Sequence, residues 1–189
     1  INAADLGLTG TEMPDAIEQD TALMEKLQKI RLTASVAMGI APNLEEAAKK
    51  KAVPFIGFVS GPQDSPSLSG DPTRAGDVDL TGRMLSNGQP HRALPLTCSL
   101  CMAVAARIEG TLVQQAARAN ADAAAPIRIA MPSGILTVAS TVGKKDGQWH
   151  AEQGAFYRTQ RRLFDGYVYV RASRVPGLLA KTRGKLKAA

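Results

Sequence analysis

His91-Arg92 and Thr97 flank the start of an apolar segment, Leu96 to Ile108. If that segment is a helix, its first amides are unspent N–H donors at the positive end of the dipole, a setting that favours carboxylates and phosphates. Arg92 would add a two-pronged donor to the same anion. The structural alternative is that Arg92 sits in an ion pair and His91 caps a turn. Pro132-Ser133-Gly134, between two strand-like runs, offers a hydroxyl and an unhindered amide to a ligand, or simply makes a turn. Cys98-Ser-Leu-Cys101 has the C-x-x-C spacing. A redox pair gains from a helix start, but no thioredoxin-like order of strand and helix surrounds this one. Zinc needs about four ligands, and only His91 and His150 could join the cysteines, so packing inside a buried helix is the plainest use. Tyr157-Arg-Thr-Gln-Arg-Arg162 reads as a strand with basic residues outward, solvated or paired. The sequence contains no P-loop, G-x-G-x-x-G or recognisable Ser-His-Asp set.

These residues must be positioned by mixed elements, which makes the fold class α+β. The spacing predicts a helix over 12–38, in one piece or two, with Pro14 in its first turn and Gly39 as its stop. Leu23, Leu27, Ile30, Ala34 and Met38 form its apolar stripe, and Glu25 can pair with Lys29. Asn43 caps a second, shorter helix whose acids come early and lysines late, as the dipole prefers. Val53 to Ser60 predicts a strand and Gly61 to Gly76 a loop. Asp77 to Leu85 alternates, with Val78, Leu80 and Met84 on one face and Asp79, Thr81 and Arg83 on the other. The turn Ser86-Asn-Gly-Gln-Pro90 then leads to His91. Leu96 to Ile108, capped by Thr97, is apolar nearly all round, so it is expected to be almost wholly buried and wrapped by sheet. A more polar helix over 111–119, an alanine-rich link over 119–125 and strands over 127–131, 134–142, 153–159 and 166–170 complete the reading.

Composition limits the function classes. The 189 residues suit one good-sized domain, and 44% hydrophobic residues can build a core although aromatics are only 4%. No apolar run approaches the ~18 residues of a membrane span, so no membrane partner is expected. Ile1-Asn-Ala-Ala-Asp5 lacks the features of a signal peptide and an initiator Met, which suggests a cut through a longer chain. The net charge of +6 is matched by the basic residues after Val170, which have no acid among them. They lack interleaved aromatics, so a solvated tail over 171–189 is expected and no nucleic-acid partner. Two cysteines are too few for a disulfide framework, and a reducing cytoplasm is the default setting.

Taken together, several segments resemble the PrpF family of the diaminopimelate-epimerase-like fold. They are Ala4-Asp-Leu-Gly-Leu-Thr-Gly-Thr-Glu12, Asp77-Val-Asp-Leu80, Met84-Leu-Ser-Asn-Gly-Gln-Pro-His-Arg-Ala93, and Leu96 through Thr111. Ile127-Arg-Ile-Ala-Met-Pro-Ser-Gly134, Tyr157-Arg-Thr-Gln-Arg-Arg162 and Val168-Tyr-Val170 continue the series in the same order. The resemblance places residues 1–170 as the second of two similar domains, each a curled mixed sheet around a central buried helix, and leaves the first domain outside this chain.

The activity it implies is a cofactor-independent double-bond shift in small unsaturated di- and tricarboxylates such as 4-oxalomesaconate, 2-methylaconitate, methylitaconate or aconitate. A base takes an allylic proton, a proton returns elsewhere, and helix amides hold the anion. The implied proton-transfer groups, a lysine and a cysteine, belong to the first domain, so no catalytic residue is assigned here. Substrate contacts are expected near Ser86, His91, Arg92, Thr97, Ser133 and Gly134. The expected partners are a small polycarboxylate and the first domain, with a homodimer left open; no metal or cofactor is expected. Two positions depart from the family pattern: Cys98 stands where glycine is usual, where a side chain would crowd the ligand or weaken the anion-binding turn, and Met131 where histidine is common. A non-catalytic carboxylate-binding or regulatory domain of the same fold is the alternative, and a C-x-x-C redox module a more distant one.

Overall fold

The structure, a computed structural model, describes residues 1–119, 125–157, 161–171 and 174. The chain divides into two units, Ile1–Tyr157 and Arg158–Ala189. The described part of the second unit has almost no regular structure, and the strand expected over 166–170 does not form: Tyr167, Val168 and Tyr169 are exposed. Residues 158–160, and most of the basic stretch after Arg171, lie outside the described residues.

The first unit opens with a 3-10 turn at Ala3–Leu6, then helices α1 (Pro14–Gln19) and α2 (Thr21–Ala37). The expected helix is thus two pieces, parted at Asp20, whose carboxylate accepts from the Leu23 amide at 2.9 Å and so caps α2. Gly39, at φ 69°, follows the end of α2. Its buried face is Leu23, Leu27, Arg31 and Ser35, not the full stripe expected. Helical residues four apart share a face, and here the i, i+4 series of Leu23 turns inward. Ile30, Ala34 and Met38, one residue out of phase, line an open cavity instead. The pairing of Glu25 with Lys29 is not among the ion pairs of the described residues. Helix α3 (Leu44–Lys49) starts as expected, with Asn43 Oδ1 accepting from the Glu46 amide at 2.9 Å.

Strands β1 (Ile56–Ser60), β2 (Leu80–Ser86), β3 (Gln89–Pro90), β4 (Ile127–Met131), β5 (Gly134–Lys145) and β6 (Gln148–Phe156) make one mixed sheet in the order β1-β2-β4-β5-β6, with β3 also on β2. The β2–β4 pair is parallel and the others antiparallel. Helix α4 (Leu96–Ala105) lies on one face and α5 (Leu112–Ala116) follows it. Met102 of α4 packs over Gly82 of β2, and Leu100 packs so tightly on Gly154 of β6 that a side chain at 154 has no room. Strands β2 and β6 are separated by β4 and β5, roughly 14 Å along a flat sheet, while a helix is only ~10 Å across. One helix touches both because the sheet curls around it.

The curl does not close. Cys98, Ser99, Met102 and Ala103 are buried, but Leu96, Thr97 and Cys101 are exposed and Leu100 and Val104 only half-buried. The expectation of an almost wholly buried helix is therefore corrected: all-round apolarity permits burial on every side, and the sheet supplies cover on one. Leu80, Met84, Ile129 and Val138 complete that side.

The opposite face of the sheet carries α1, α2 and the amino-terminal turn, packed on Phe58 and Leu85. Both faces of β2 are therefore buried, and its polar residues need partners. Arg83, 1% exposed, donates to the carbonyls of Glu12 (2.7 Å), Thr11 (3.0 Å) and Gly82 (2.9 Å). Burial draws its guanidinium down to about 10, against the pull of the Glu12 charge. The Glu12 carboxylate in turn accepts from the amides of Thr9 (2.7 Å) and Gly10 (2.9 Å). Gly10 sits at φ 95°, and a β-carbon there would run into the Ser60 side chain, so only glycine fits. Asp79 binds the Arg128 amide at 2.9 Å and its guanidinium at 2.8 Å, and the Thr81 hydroxyl donates to the Gly61 carbonyl at 3.0 Å.

Candidate anion site at the start of helix α4

Because β2 and β4 are parallel, their carboxyl ends lie at the same edge of the sheet. Ser86 ends β2, Asn87 and Gly88 at positive φ turn the chain, and β3 returns it to His91. The turn brings the Ser86 hydroxyl within 2.6 Å of His91 Nε2. The Phe55 ring stands 6.2 Å from the His91 ring, centroid to centroid. Past His91 the chain is held to β4: the Leu94 amide points at the Met131 sulfur, 3.3 Å away. Met131 thus ties the loop before α4 to the strand that leads into Pro132-Ser133-Gly134.

Helix α4 then begins with Pro95 at its N-cap and no side-chain cap. Thr97 lies within the first turn and does not cap the helix as expected; proline at the cap position has no side-chain acceptor to offer, so the amides of the first turn have no side-chain cap. The first helical bond is Ser99 N–H to the Pro95 carbonyl, 3.0 Å. Cys98 is buried in the core with Leu80 and Met84 and also lines the cavity beside Thr97. Burial pushes its thiol up, with a hydrogen bond involving Thr97 acting against it.

Phe55 and Thr97 line one cavity of about 660 Å³ together with Cys98 and Cys101, and the Ser86–His91 pair is tied to that wall through the Phe55 ring alone. Arg92 is turned aside: its guanidinium meets Asp15 Oδ1 at 3.3 Å, with both side chains largely in water. An exposed pair of this kind is weak, worth ~0–1 kcal/mol, and an incoming carboxylate can compete for it. Ser133 is exposed in the β4–β5 turn, and Gly134 takes φ 120°. No hydrogen bond among the described residues joins that turn to the other four positions; it shares their edge of the sheet. Asp15 and Phe55 had no signal in the sequence, since each meets its partner across a long stretch of chain.

Among the described residues no three His, Cys, Asp or Glu side chains group as a metal site, and none of their helices is long and apolar enough to cross a membrane. What this edge can do is hold an anion: uncapped amides, a threonine and serine hydroxyl, an imidazole, and a guanidinium in a weak surface pair.

The chain is 39% identical over 170 residues to the 2-methyl-aconitate isomerase of Shewanella oneidensis, a match covering 90% of this chain and 42% of that protein. It is 38% identical to the 3-methylitaconate isomerase of Eubacterium barkeri, over 93% of this chain and 45% of that one. A more distant relative, the (4E)-oxalomesaconate Delta-isomerase of a Novosphingobium species, is 28% identical. The crystal structure of a methylitaconate-delta-isomerase superposes with a TM-score of 0.76 at 37% identity, covering 92% of this chain and 44% of that one. The chain thus spans less than half the length of these relatives. The model of the PrpF protein family matches residues 1–171, and with these relatives it establishes that the chain belongs to the PrpF family.

Proposed function

We propose that this chain forms one wall of the active site of an isomerase that shifts a double bond in small unsaturated di- or tricarboxylates, without a cofactor. The supporting observation is the uncapped start of α4, opening beside the Ser86–His91 pair, in a chain whose relatives are isomerases of unsaturated carboxylates. In this reading residues 1–170 are the second of two diaminopimelate-epimerase-like domains, residues 171–189 are a basic tail, and the setting is the cytoplasm.

A substrate carboxylate sits on the amides that open α4, with the Thr97 hydroxyl, Arg92 and the Ser133-Gly134 turn at its margin. When the allylic proton leaves, negative charge spreads toward that carboxylate. Fixed N–H donors and the helix dipole lower the energy of that anion most where charge is greatest. The Ser86–His91 pair holds a second polar group of the substrate. The base that takes the proton comes from the other domain, so this chain alone does not catalyse.

A chimera tests this. The 189 residues replace the matching segment of the Shewanella 2-methyl-aconitate isomerase, and exchange of the allylic proton of 2-methylaconitate with deuterium is followed by NMR. The folded chimera should exchange it and the chain alone should not. Exchange by the chain alone would place the proton-transfer groups here and overturn the proposal. A folded chimera that binds citrate without exchange would favour a carboxylate-binding domain.

A further inference from the structure

The thiols of the C-x-x-C pair have no role in the proposed isomerisation, although both residues line the cavity beside Thr97, and the structure sets them in different surroundings. Both are free; Cys98 is buried and Cys101 exposed. They stand three residues apart on α4, hence on neighbouring positions of one face, and both line the 660 Å³ cavity. We propose that Cys98 and Cys101 form a two-thiol exchange site, at which a small-molecule disulfide such as glutathione disulfide is reduced and an intrahelical disulfide forms. The inference stands apart from the isomerase reading, because it rests on the thiols alone.

Exposure assigns the order. The Cys101 thiolate attacks one sulfur of the incoming disulfide, the S–S bond breaks, and the first thiol leaves and takes a proton from water. Cys98 then gives its proton to solvent and attacks the Cys101 sulfur, which expels the second thiol. Two protein thiols are oxidised, and one disulfide becomes two thiols. Burial, which pushes the Cys98 thiol up, suits it to this second, intramolecular step, where proximity replaces a high thiolate fraction.

Geometry allows the closure. Side chains three apart on a helix have β-carbons about 5–6 Å apart, whereas a disulfide needs about 3.5–4.5 Å. The turn must therefore tighten by roughly 1–2 Å. This is the opening stretch of α4, with no side-chain cap to hold it, and helix ends commonly tighten toward 3-10 geometry.

The test treats the 189-residue chain with glutathione disulfide and digests it with trypsin under non-reducing conditions. Both cysteines fall in one peptide, 93–107. The proposal expects that peptide to lose the mass of two hydrogens and carry no glutathione. In Cys98→Ser the mixed disulfide should persist on Cys101, and in Cys101→Ser the modification should be slower by about ten-fold or more. If the wild-type peptide keeps one glutathione, Cys98 does not resolve the adduct and the proposal fails. It fails equally if neither cysteine reacts, or if the oxidised form is a dimer linked through Cys101. The wild-type peptide decides the matter even where a serine variant does not fold.

Discussion

The inner polar face of β2 and the rim at the start of α4 are built from similar residue types, and they end in opposite states. On β2 and just before it, Asp79, Thr81 and Arg83 are buried and each meets a fixed partner. At the rim, Thr97 and Arg92 are exposed, and the helix amides have no side-chain cap. Buried polar groups must be satisfied within the protein or they cost stability. Polar groups at an open edge can be satisfied by water and therefore by a ligand. The difference shows why arginine, threonine and an acid in sequence say little about function until burial is known.

The sharpest way to break the comparison is Arg83→Met. The thioether stem fills much of the volume but leaves the carbonyls of Glu12, Thr11 and Gly82 without their donor, so unfolding should be easier by about 3–5 kcal/mol in urea titration. A change below about 1 kcal/mol would mean that the buried face is not fixed as described.

Asp79→Asn comes next, with a loss of about 1–2 kcal/mol at neutral pH, since Arg128 is partly exposed. The effect carries a pH signature. Burial would push the Asp79 carboxyl up, but hydrogen bonds from the Arg128 side chain and amide, and its charge, hold it below the usual range. A carboxyl depressed in the folded state stabilises above its unfolded value, about 4, and loses that contribution as pH falls through the folded value. The difference between wild type and Asp79→Asn in urea midpoint should therefore shrink below about pH 4.

Arg92→Ala should be smallest in stability, below about 0.5 kcal/mol, because its pair with Asp15 is exposed. Its value is as a contrast: thermal melting should barely move while citrate affinity falls. An unchanged citrate affinity would remove Arg92 from the site and leave the helix start.

Much of this was legible in the sequence where the signal is local. Asn43 as a cap, the Asn87-Gly88 turn and strand β4 at 127–131 follow from residues within a few positions of one another. The apolar segment at 96–108 reads correctly as a helix, which runs over Leu96–Ala105, but not as one wrapped by sheet. How much of it is covered depends on how far the sheet closes, and that is set by strands far away in the chain. The same limit explains α2, whose two apolar series differ by a single step and whose inward face is chosen by β1 and β2. Of the six candidate positions, Ser86 and His91 meet directly because a two-residue turn joins them. The sequence suggests an ion pair for Arg92 but not Asp15 as its partner, and Thr97 has a capping side chain although the helix opens earlier, at Pro95, which has none.

The central claim is that the start of α4 binds a carboxylate, and a citrate titration of this chain followed by backbone amide chemical shifts tests it most directly. The account predicts saturable, weak binding with the largest shifts at the amides of Leu96 to Ser99 and smaller ones at Ser86, His91 and Gly134. Shifts confined to the basic residues from Arg171 onward, or no saturable shift at the start of α4, would contradict it.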